Sequence, residues 1–152
     1  MNDKGQVVGL SATKTGGRKA FLWSKGRMRK LPLDDASAID DRGQVSGGRL
    51  HDATGFHAAR WDKGKVTDLG ALGGSTTRLV AINDRNQILA ESQLANGQVH
   101  PALWQRGRWT DLAAKGITTE GEVVDINCHG TIAASIRPVF GISHAVLYRK
   151  TL

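Results

Sequence analysis

Three histidines at equivalent positions are the first residues in this chain that could bind a metal or transfer a proton. His57, His100 and His144 each begin a short phrase that ends in Trp or Tyr. Equivalent positions on neighbouring repeat units lie too far apart to share one ion, because a zinc–nitrogen bond is only about 2.0–2.1 Å long. We therefore predict that these rings are structural and hydrogen-bonded between strands.

Two pairs of adjacent carboxylates are the next candidates. Asp34–Asp35 and Asp40–Asp41 could contact a cation, but calcium loops need oxygen ligands at alternating positions, a spacing that the sequence lacks. Asp side chains also initiate turns by accepting hydrogen bonds from backbone amides, so we interpret both pairs as turn residues. The single cysteine, Cys128, would need an oriented base to act as a nucleophile, and we expect the adjacent His129 to point elsewhere.

Common catalytic and cofactor-binding motifs are absent from the sequence. It contains no Gly-x-Ser-x-Gly, no P-loop, no dinucleotide fingerprint and no His-Glu-x-x-His. We predict no catalytic residue, no cofactor and no metal. A hydrolase with carboxylates in a central channel is the third and weakest of three functional alternatives.

The charge of the chain favours an acidic partner. Lys and Arg number 21 against 14 Asp and Glu, which gives a net charge of +7 over 152 residues. Such an excess suits nucleic acid, an anionic glycan or an acidic protein surface, although a solvated basic face is the simpler interpretation. The sequence has no apolar run near the roughly 20 residues that cross a bilayer, so we predict no membrane insertion.

Two phrases recur four times and indicate how these residues are positioned. Both advance by 38, 43 and 44 residues, which marks them as copies of one structural unit. A period of roughly 40 residues is typical of propeller blades or a related β array. The first phrase occupies Asn2–Gly9, Asp40–Gly47, Asn83–Ala90 and Asn127–Ala134. The second occupies Lys19–Trp23, His57–Trp61, His100–Trp104 and His144–Tyr148.

The third copy reads most clearly as four short strands joined by tight turns, which is the unit of a propeller blade. Its predicted strands are Leu79–Ile82, Gln87–Ser92, Val99–Trp104 and Arg108–Leu112. The Asn-Asp-x-Gly element between the first two begins with a turn-forming side chain and ends at a residue with positive φ. Glycine holds that last position in three copies, and Asn86 replaces it in the third.

The combination of these phrases resembles the HAF repeat family. The match runs through Ile82-Asn83-Asp84, His144-Ala145-Val146 and the segment Gly64–Gly74. The resemblance implies a β-propeller-like repeat domain with no assigned enzymatic activity. The family label places it outside the cell. Because no charged-then-apolar leader stands before the first repeat, we leave the compartment open between extracellular and cytoplasmic.

We predict one all-β domain over residues 1–152, a β-propeller-like array of about four blades of short antiparallel strands with incomplete terminal blades. The repeats span approximately 1–38, 39–81, 82–125 and 126–152, and contribute three, four, four and three strands. The uneven ends fit a segment of a longer propeller, a short four-bladed ring, or two chains that pair their open ends. We favour self-association, because exposed sheet edges invite pairing.

The leading functional prediction is a non-enzymatic interaction scaffold that binds another protein. The first and third turns of every blade should lie on one rim, and much of the positive charge falls there. The polyanion alternative, nucleic acid or an anionic glycan, would use the same rim. Trp23, Trp61 and Trp104 end apolar strands and are predicted core residues, whereas Trp109 is the aromatic that could be exposed. The predicted binding rim comprises Lys25, Arg27, Lys63, Lys65, Arg106, Arg108, Trp109 and Arg149.

Overall fold

Short strands and tight turns account for nearly all of the chain. A computed structural model describes residues 1–50, 55–117, 121–136 and 144–149. In these ranges the chain forms 14 strands and no α-helix, and its helical content is one 3-10 turn at Ala113–Lys115. The all-β prediction is confirmed.

The strands form four consecutive antiparallel meanders, which we call the first to fourth sheets. The first sheet holds β1 (Val7–Ala12), β2 (Arg18–Ser24) and β3 (Arg27–Lys30). The second holds β4 (Ala38–Ile39), β5 (Val45–Leu50), β6 (Phe56–Asp62) and β7 (Lys65–Gly70). The third holds β8 (Gly73–Ile82), β9 (Ile88–Leu94), β10 (Val99–Gln105) and β11 (Arg108–Asp111). The fourth holds β12 (Gly121–Ile126), β13 (Ile132–Ile136) and β14 (His144–Tyr148).

The second and third sheets are linked by one parallel bridge, between Phe56 and Thr76. In the described part of the chain the four sheets therefore contain three, four, four and three strands, as the repeats predict. None of these sheets closes on itself into a barrel.

One register recurs in all four sheets and defines their faces. The aromatic residue that ends the second phrase pairs with the apolar residue that follows the first turn. These pairs are Val7–Trp23, Val45–Trp61, Ile88–Trp104 and Ile132–Tyr148. Because directly opposed residues of antiparallel strands point to the same face, each pair marks one face of its sheet. We call it the front face, and the opposite one the back face.

The front faces of the second, third and fourth sheets each pack against the back face of the preceding sheet. Trp61 and Val45 pack with Leu22 of the first sheet in one buried cluster. Trp104 and Ala58 belong to the corresponding cluster between the second and third sheets. A third cluster joins the back of the third sheet to the front of the fourth, through residues such as Leu103, Ile132 and Tyr148. The core is therefore a series of inter-sheet layers, as expected for strands buried on both faces.

Trp23 corrects the prediction that all three equivalent tryptophans are core residues. Trp61 and Trp104 are buried, but Trp23 is 39% exposed. The difference follows from the layers, because the two buried rings face a preceding sheet. Arginines of that sheet lie over them, with Arg29 at 4.6 Å from the centre of the Trp61 ring and Arg60 at 5.4 Å from that of Trp104.

Candidate functional site

Within the described residues, the first and third turns of the sheets lie at the same end of the molecule. The first turn directly precedes, and the third directly follows, the two residues of the recurring register pair. Contacts between the turns agree with this placement. Gln44 Nε2 of a first turn donates to Asp62 Oδ2 beside a third turn at 3.0 Å, and Arg60 Nη1 donates to Asn86 Oδ1 of the next first turn at 2.7 Å. This placement is the one on which the predicted rim depends.

The first turns are held by their leading Asn or Asp side chains. Asp40 Oδ1 accepts hydrogen bonds from the amides of Arg42 and Gln44, at 3.0 and 2.7 Å, and Asn83 Oδ1 accepts from Arg85 and Gln87. The residue that closes each turn has positive φ. The values are 68° for Gly5, 81° for Gly43, 60° for Asn86 and 84° for Gly130. This confirms the turn mechanism predicted from the sequence.

Hydrogen bonds also connect each first turn to the next one along the chain. Asn2 Nδ2 donates to the carbonyl of Asp40 at 2.8 Å, and Asn83 Nδ2 donates to that of Asn127 at 2.8 Å. A second series uses the following residue: Asp3 N donates to Asp41 Oδ1 at 2.8 Å, and Asp41 N to Asp84 Oδ1 at 2.9 Å. The four first turns thus form one connected layer.

This layer surrounds a small acidic cavity. The cavity has a volume of about 230 Å³ and receives residues from all four copies, among them Asp3, Asp40, Asp41, Asp84 and Cys128. Sequence reasoning treated these acids as separate turn residues and did not bring them together. The signal for their convergence was the shared position of Asp3, Asp41 and Asp84 in the repeat. Among the described residues, no three His, Cys, Asp or Glu side chains are arranged to hold a metal ion.

Basic residues of the third turns lie at the same end of the molecule as the acidic cavity. Lys25, Lys63 and Arg106 lie in the third turns, and Arg27, Lys65 and Arg108 are the first residues of the strands that follow them. Arg149 directly follows β14. The exposed cations are Lys25, Arg27, Lys63, Lys65, Arg106, Arg108 and Arg149. In the described ranges none of them forms an ion pair with a carboxylate.

Three of these cations adopt an unfavourable backbone conformation. Lys25, Lys63 and Arg106 have φ values of 50°, 46° and 54°, and each is followed by a glycine with positive φ. Two successive positive φ angles in a two-residue hairpin define a type I′ turn, for which Asn-Gly, Asp-Gly and Gly-Gly are the preferred sequences. A long cation at the first position is therefore a local cost to the fold.

Trp109 corrects the expectation of an exposed aromatic on the rim. It is half-buried in the layer between the second and third sheets, next to Trp104. Its Nε1 donates to the carbonyl of Leu69 at 2.7 Å, so the ring joins two sheets. The other predicted rim residues remain solvent-facing.

The repeated histidine position has a structural role in two copies, as predicted. His57 Nδ1 lies 3.2 Å from Asp68 Oδ1, and His100 Nδ1 lies 2.8 Å from Asp111 Oδ2, each between neighbouring strands. In the first copy Lys19 Nζ contacts Asp34, which lies in the segment after β3, at 3.2 Å. Burial would raise the pKa of Asp111, but hydrogen bonds from His100 and a backbone amide outweigh it and hold that pKa below its ordinary value. His144 is exposed.

Asp40 is the unusual member of the first-turn layer. It is 3% exposed, and among the described residues its Oδ2 atom has no hydrogen-bond partner, nor does Oε1 of Gln44 in the same turn. Asparagine stands at the matching position of the first and third copies and satisfies the equivalent glutamine. Asn2 Nδ2 donates to Gln6 Oε1 at 2.7 Å, and Asn83 Nδ2 donates to Gln87 Oε1 at 2.6 Å. Burial raises the pKa of Asp40 above its ordinary value, and the Asp84 charge adds to that rise, against hydrogen bonds from Gln44 and Arg42.

Cys128 and His129 are closer than the sequence suggested. Cys128 Sγ lies 3.3 Å from His129 Nδ1, although we expected the imidazole to point away. The tight turn brings the two neighbouring side chains to one side. Both residues are exposed, and in the described part of the chain no third side chain orients the imidazole. The pair therefore lacks the orienting group that activates a nucleophile in known triads.

Known proteins resemble this chain in structure but not detectably in sequence. No protein-family model and no curated protein matches it. It is similar to TolB from Acinetobacter baumannii, with a TM-score of 0.66 and 13% identity over 93% of this chain and 37% of the TolB chain. It is also similar to a fucose lectin from Kordia zhangzhouensis in complex with methyl-fucoside, with a TM-score of 0.44 and 13% identity over 70% of this chain and 88% of the lectin.

These similarities bear on the fold alone. The chain shares the β-rich fold of the part of TolB that it matches, and it spans 37% of that protein's length. The lectin similarity, at a TM-score of 0.44, is too low to indicate a shared fold. The resemblance to the HAF repeat stays a prediction. No helix in the described residues is long and apolar enough to cross a membrane.

Proposed function

We propose that this protein is a non-enzymatic β-propeller-like scaffold of about four blades that binds an acidic surface of another protein through its basic rim. The proposal rests on one observation: the first position of three type I′ turns is occupied by a long cation, namely Lys25, Lys63 and Arg106. Backbone strain that persists at exposed positions is a recognised mark of functional sites. These cations form no ion pair with the described residues, and asparagine would suit the turn better than any of them.

The charge distribution around the rim favours a protein over a uniform polyanion. The basic turns lie at the same end of the molecule as a cavity lined by Asp3, Asp41 and Asp84. A uniformly negative polymer that crossed this end would meet like charges at the cavity, which is unfavourable. A protein surface can place acidic groups over the turns and neutral or basic groups over the cavity. The pattern thus suits a partner of mixed charge.

A polyanion that follows the periphery is the second candidate. The three basic turns repeat from sheet to sheet, so an extended anionic chain could contact them in succession without crossing the cavity. Because Trp109 is engaged between sheets, its ring is not free to stack on single-stranded bases. This favours an anionic glycan or a duplex backbone as the form of this alternative.

The test exploits the turn strain. In the triple variant Lys25→Asn, Lys63→Asn and Arg106→Asn, each turn becomes Asn-Gly, the preferred type I′ sequence. We expect a gain of a few tenths to about 1 kcal/mol per turn in the free energy of unfolding, measured by urea denaturation, since asparagine tolerates positive φ best. We also expect the variant to lose partner binding, because three rim charges are removed.

Binding is measured with the parent and the variant immobilised side by side. We expect acidic proteins to be retained by the parent, released by salt, and not retained by the triple variant. A charge-matched control, Lys14→Asn with Arg18→Asn and Lys115→Asn, removes three exposed cations at the opposite end. Equal retention by parent and triple variant would rule out the rim. Retention on heparin or duplex DNA without retention of acidic proteins would favour the polyanion alternative.

A further inference from the structure

The front face of the first sheet is apolar and exposed. Trp23 pairs with Val7 on one side and Met28 on the other, so the three side chains share this face. Trp23 is 39% exposed and Met28 is 58% exposed. The corresponding residues of the second sheet are Val45, Trp61 and Val66, which pack against the preceding sheet. The first sheet thus displays the same surface that is covered elsewhere in the molecule.

The back face of the fourth sheet is exposed in the same way. Leu147 is 68% exposed and Val124 is 58% exposed. Leu147 occupies the position of Leu103 of the third sheet, which is buried against the fourth. Val124 is the extra residue at a register shift between the first two strands of its sheet. Val80 is the extra residue at the equivalent shift in the third sheet, and it packs against the fourth sheet. This back face therefore presents the same kind of apolar side chains that pack against a front face in the internal layers.

The hydrogen-bonded layer of first turns has matching open ends. Asp3 N and Asp41 N each donate to the aspartate of the next turn, but within the described ranges the Asp3 carboxylate accepts no hydrogen bond. At the other end of the series, the Cys128 amide has no acceptor among the described residues. If the same series of hydrogen bonds continued into a further sheet, Cys128 N would donate to a carboxylate at the position of Asp3. Asn127 Nδ2 would likewise donate to a carbonyl at the position of Asn2.

We propose that the front face of the first sheet binds the back face of the fourth sheet of a second copy of this chain. The occupant is identified by continuity, because three internal layers join a front face to a back face in this order. Two copies joined reciprocally would form a ring of eight sheets, within the four to eight blades that propellers use. The junction does not depend on what the basic rim binds.

Solution mass as a function of concentration tests this association. The chain has a mass of 16.3 kDa, and we expect a species of twice that mass to accumulate as concentration rises. Because each copy carries a net charge of +7, added salt should strengthen the association by screening repulsion. A parent chain that remains monomeric up to about 500 µM, a concentration at which even weak specific complexes form, would overturn the proposal.

Paired charge substitutions test the head-to-tail arrangement. Trp23→Arg places a charge on the front face and Leu147→Arg on the back face, and each alone should weaken association by about a hundredfold or more. Val99→Arg is the matched control, since Val99 is an exposed apolar residue of the third sheet, 55% accessible, outside both faces. It should leave the association unchanged. Circular dichroism and thermal melting confirm that each variant is folded.

Mixing the two variants separates the possible pairings. The intact back face of Trp23→Arg can join the intact front face of Leu147→Arg, so the mixture should form a dimer that neither variant forms alone. Front-to-front pairing would instead leave Leu147→Arg dimeric by itself, and back-to-back pairing would leave Trp23→Arg dimeric. Either of these results, or a mixture that stays monomeric, contradicts the proposal.

Discussion

Replacement of Trp104 by alanine is expected to lower the free energy of unfolding by about 3–5 kcal/mol, the usual cost of removing a core aromatic. Trp104 is 8% exposed and lies between the second and third sheets, where it pairs with Ile88 and Trp109. Its removal leaves a cavity and uncovers Arg60, whose guanidinium lies over the ring. Urea denaturation followed by circular dichroism measures the change, with an unchanged slope indicating an unchanged folded state.

Trp23→Ala is the internal control, because Trp23 occupies the same repeat position in a different environment. At concentrations where the chain is monomeric, we expect this variant to cost well under half as much, since 39% of the residue is already exposed. A Trp104→Ala variant that melts within a degree or two of the parent would contradict the layer model. So would an equal loss from both substitutions.

The second large effect is a gain: Asp40→Asn should raise the free energy of unfolding by about 1–3 kcal/mol at neutral pH, the penalty for an unpaired buried polar group. Asparagine would retain the Oδ1 acceptor used by Arg42 and Gln44. Its Nδ2 would donate to Gln44 Oε1, which has no hydrogen-bond partner in the part of the chain that the structure describes. It would also donate to the carbonyl of Asn83, just as Asn2 Nδ2 in the preceding copy donates to the carbonyl of Asp40.

The gain should depend on pH in a defined direction. The folded-state pKa of Asp40 is raised above its ordinary value of 3.8, so in the folded state the carboxyl keeps its proton where the unfolded chain has lost it. The penalty from Asp40 is therefore absent below pH 3.8 and grows as pH rises through the interval up to the folded pKa. Asp40→Asn should stabilise the protein more at pH 7 than at pH 3.5.

The reverse exchange in the next copy is the control. Asn83 donates to Gln87 Oε1 and to the Asn127 carbonyl, so Asn83→Asp should remove two donated hydrogen bonds and create the same deficit. We expect a loss of similar size that deepens from acid to neutral pH. If both substitutions shift stability in the same direction, or if the gain from Asp40→Asn is independent of pH, the unpaired-carboxyl explanation is wrong.

Local features of this protein could be predicted from the sequence because their causes are local. The positive φ at Gly5, Gly43 and Asn86 follows from the turn, whose geometry only glycine or asparagine adopts without large strain. The strand count follows from the spacing of turn residues. The positions of His57 and His100 beside carboxylates follow from the register of two neighbouring strands.

Which side chains are buried and which polar atoms are paired depends on contacts between sheets. Trp23 and Trp104 share one sequence context, yet only the second is buried, because burial depends on whether another sheet lies in front. Trp109 is held by Leu69, 40 residues earlier in the chain. The sequence shows that Asp40 stands where the other three copies have asparagine. The consequence of this difference depends on the hydrogen-bond acceptors that surround the side chain in the folded protein. The repeat fixes each unit through short-range backbone geometry, whereas burial and the pairing of polar atoms depend on which units meet.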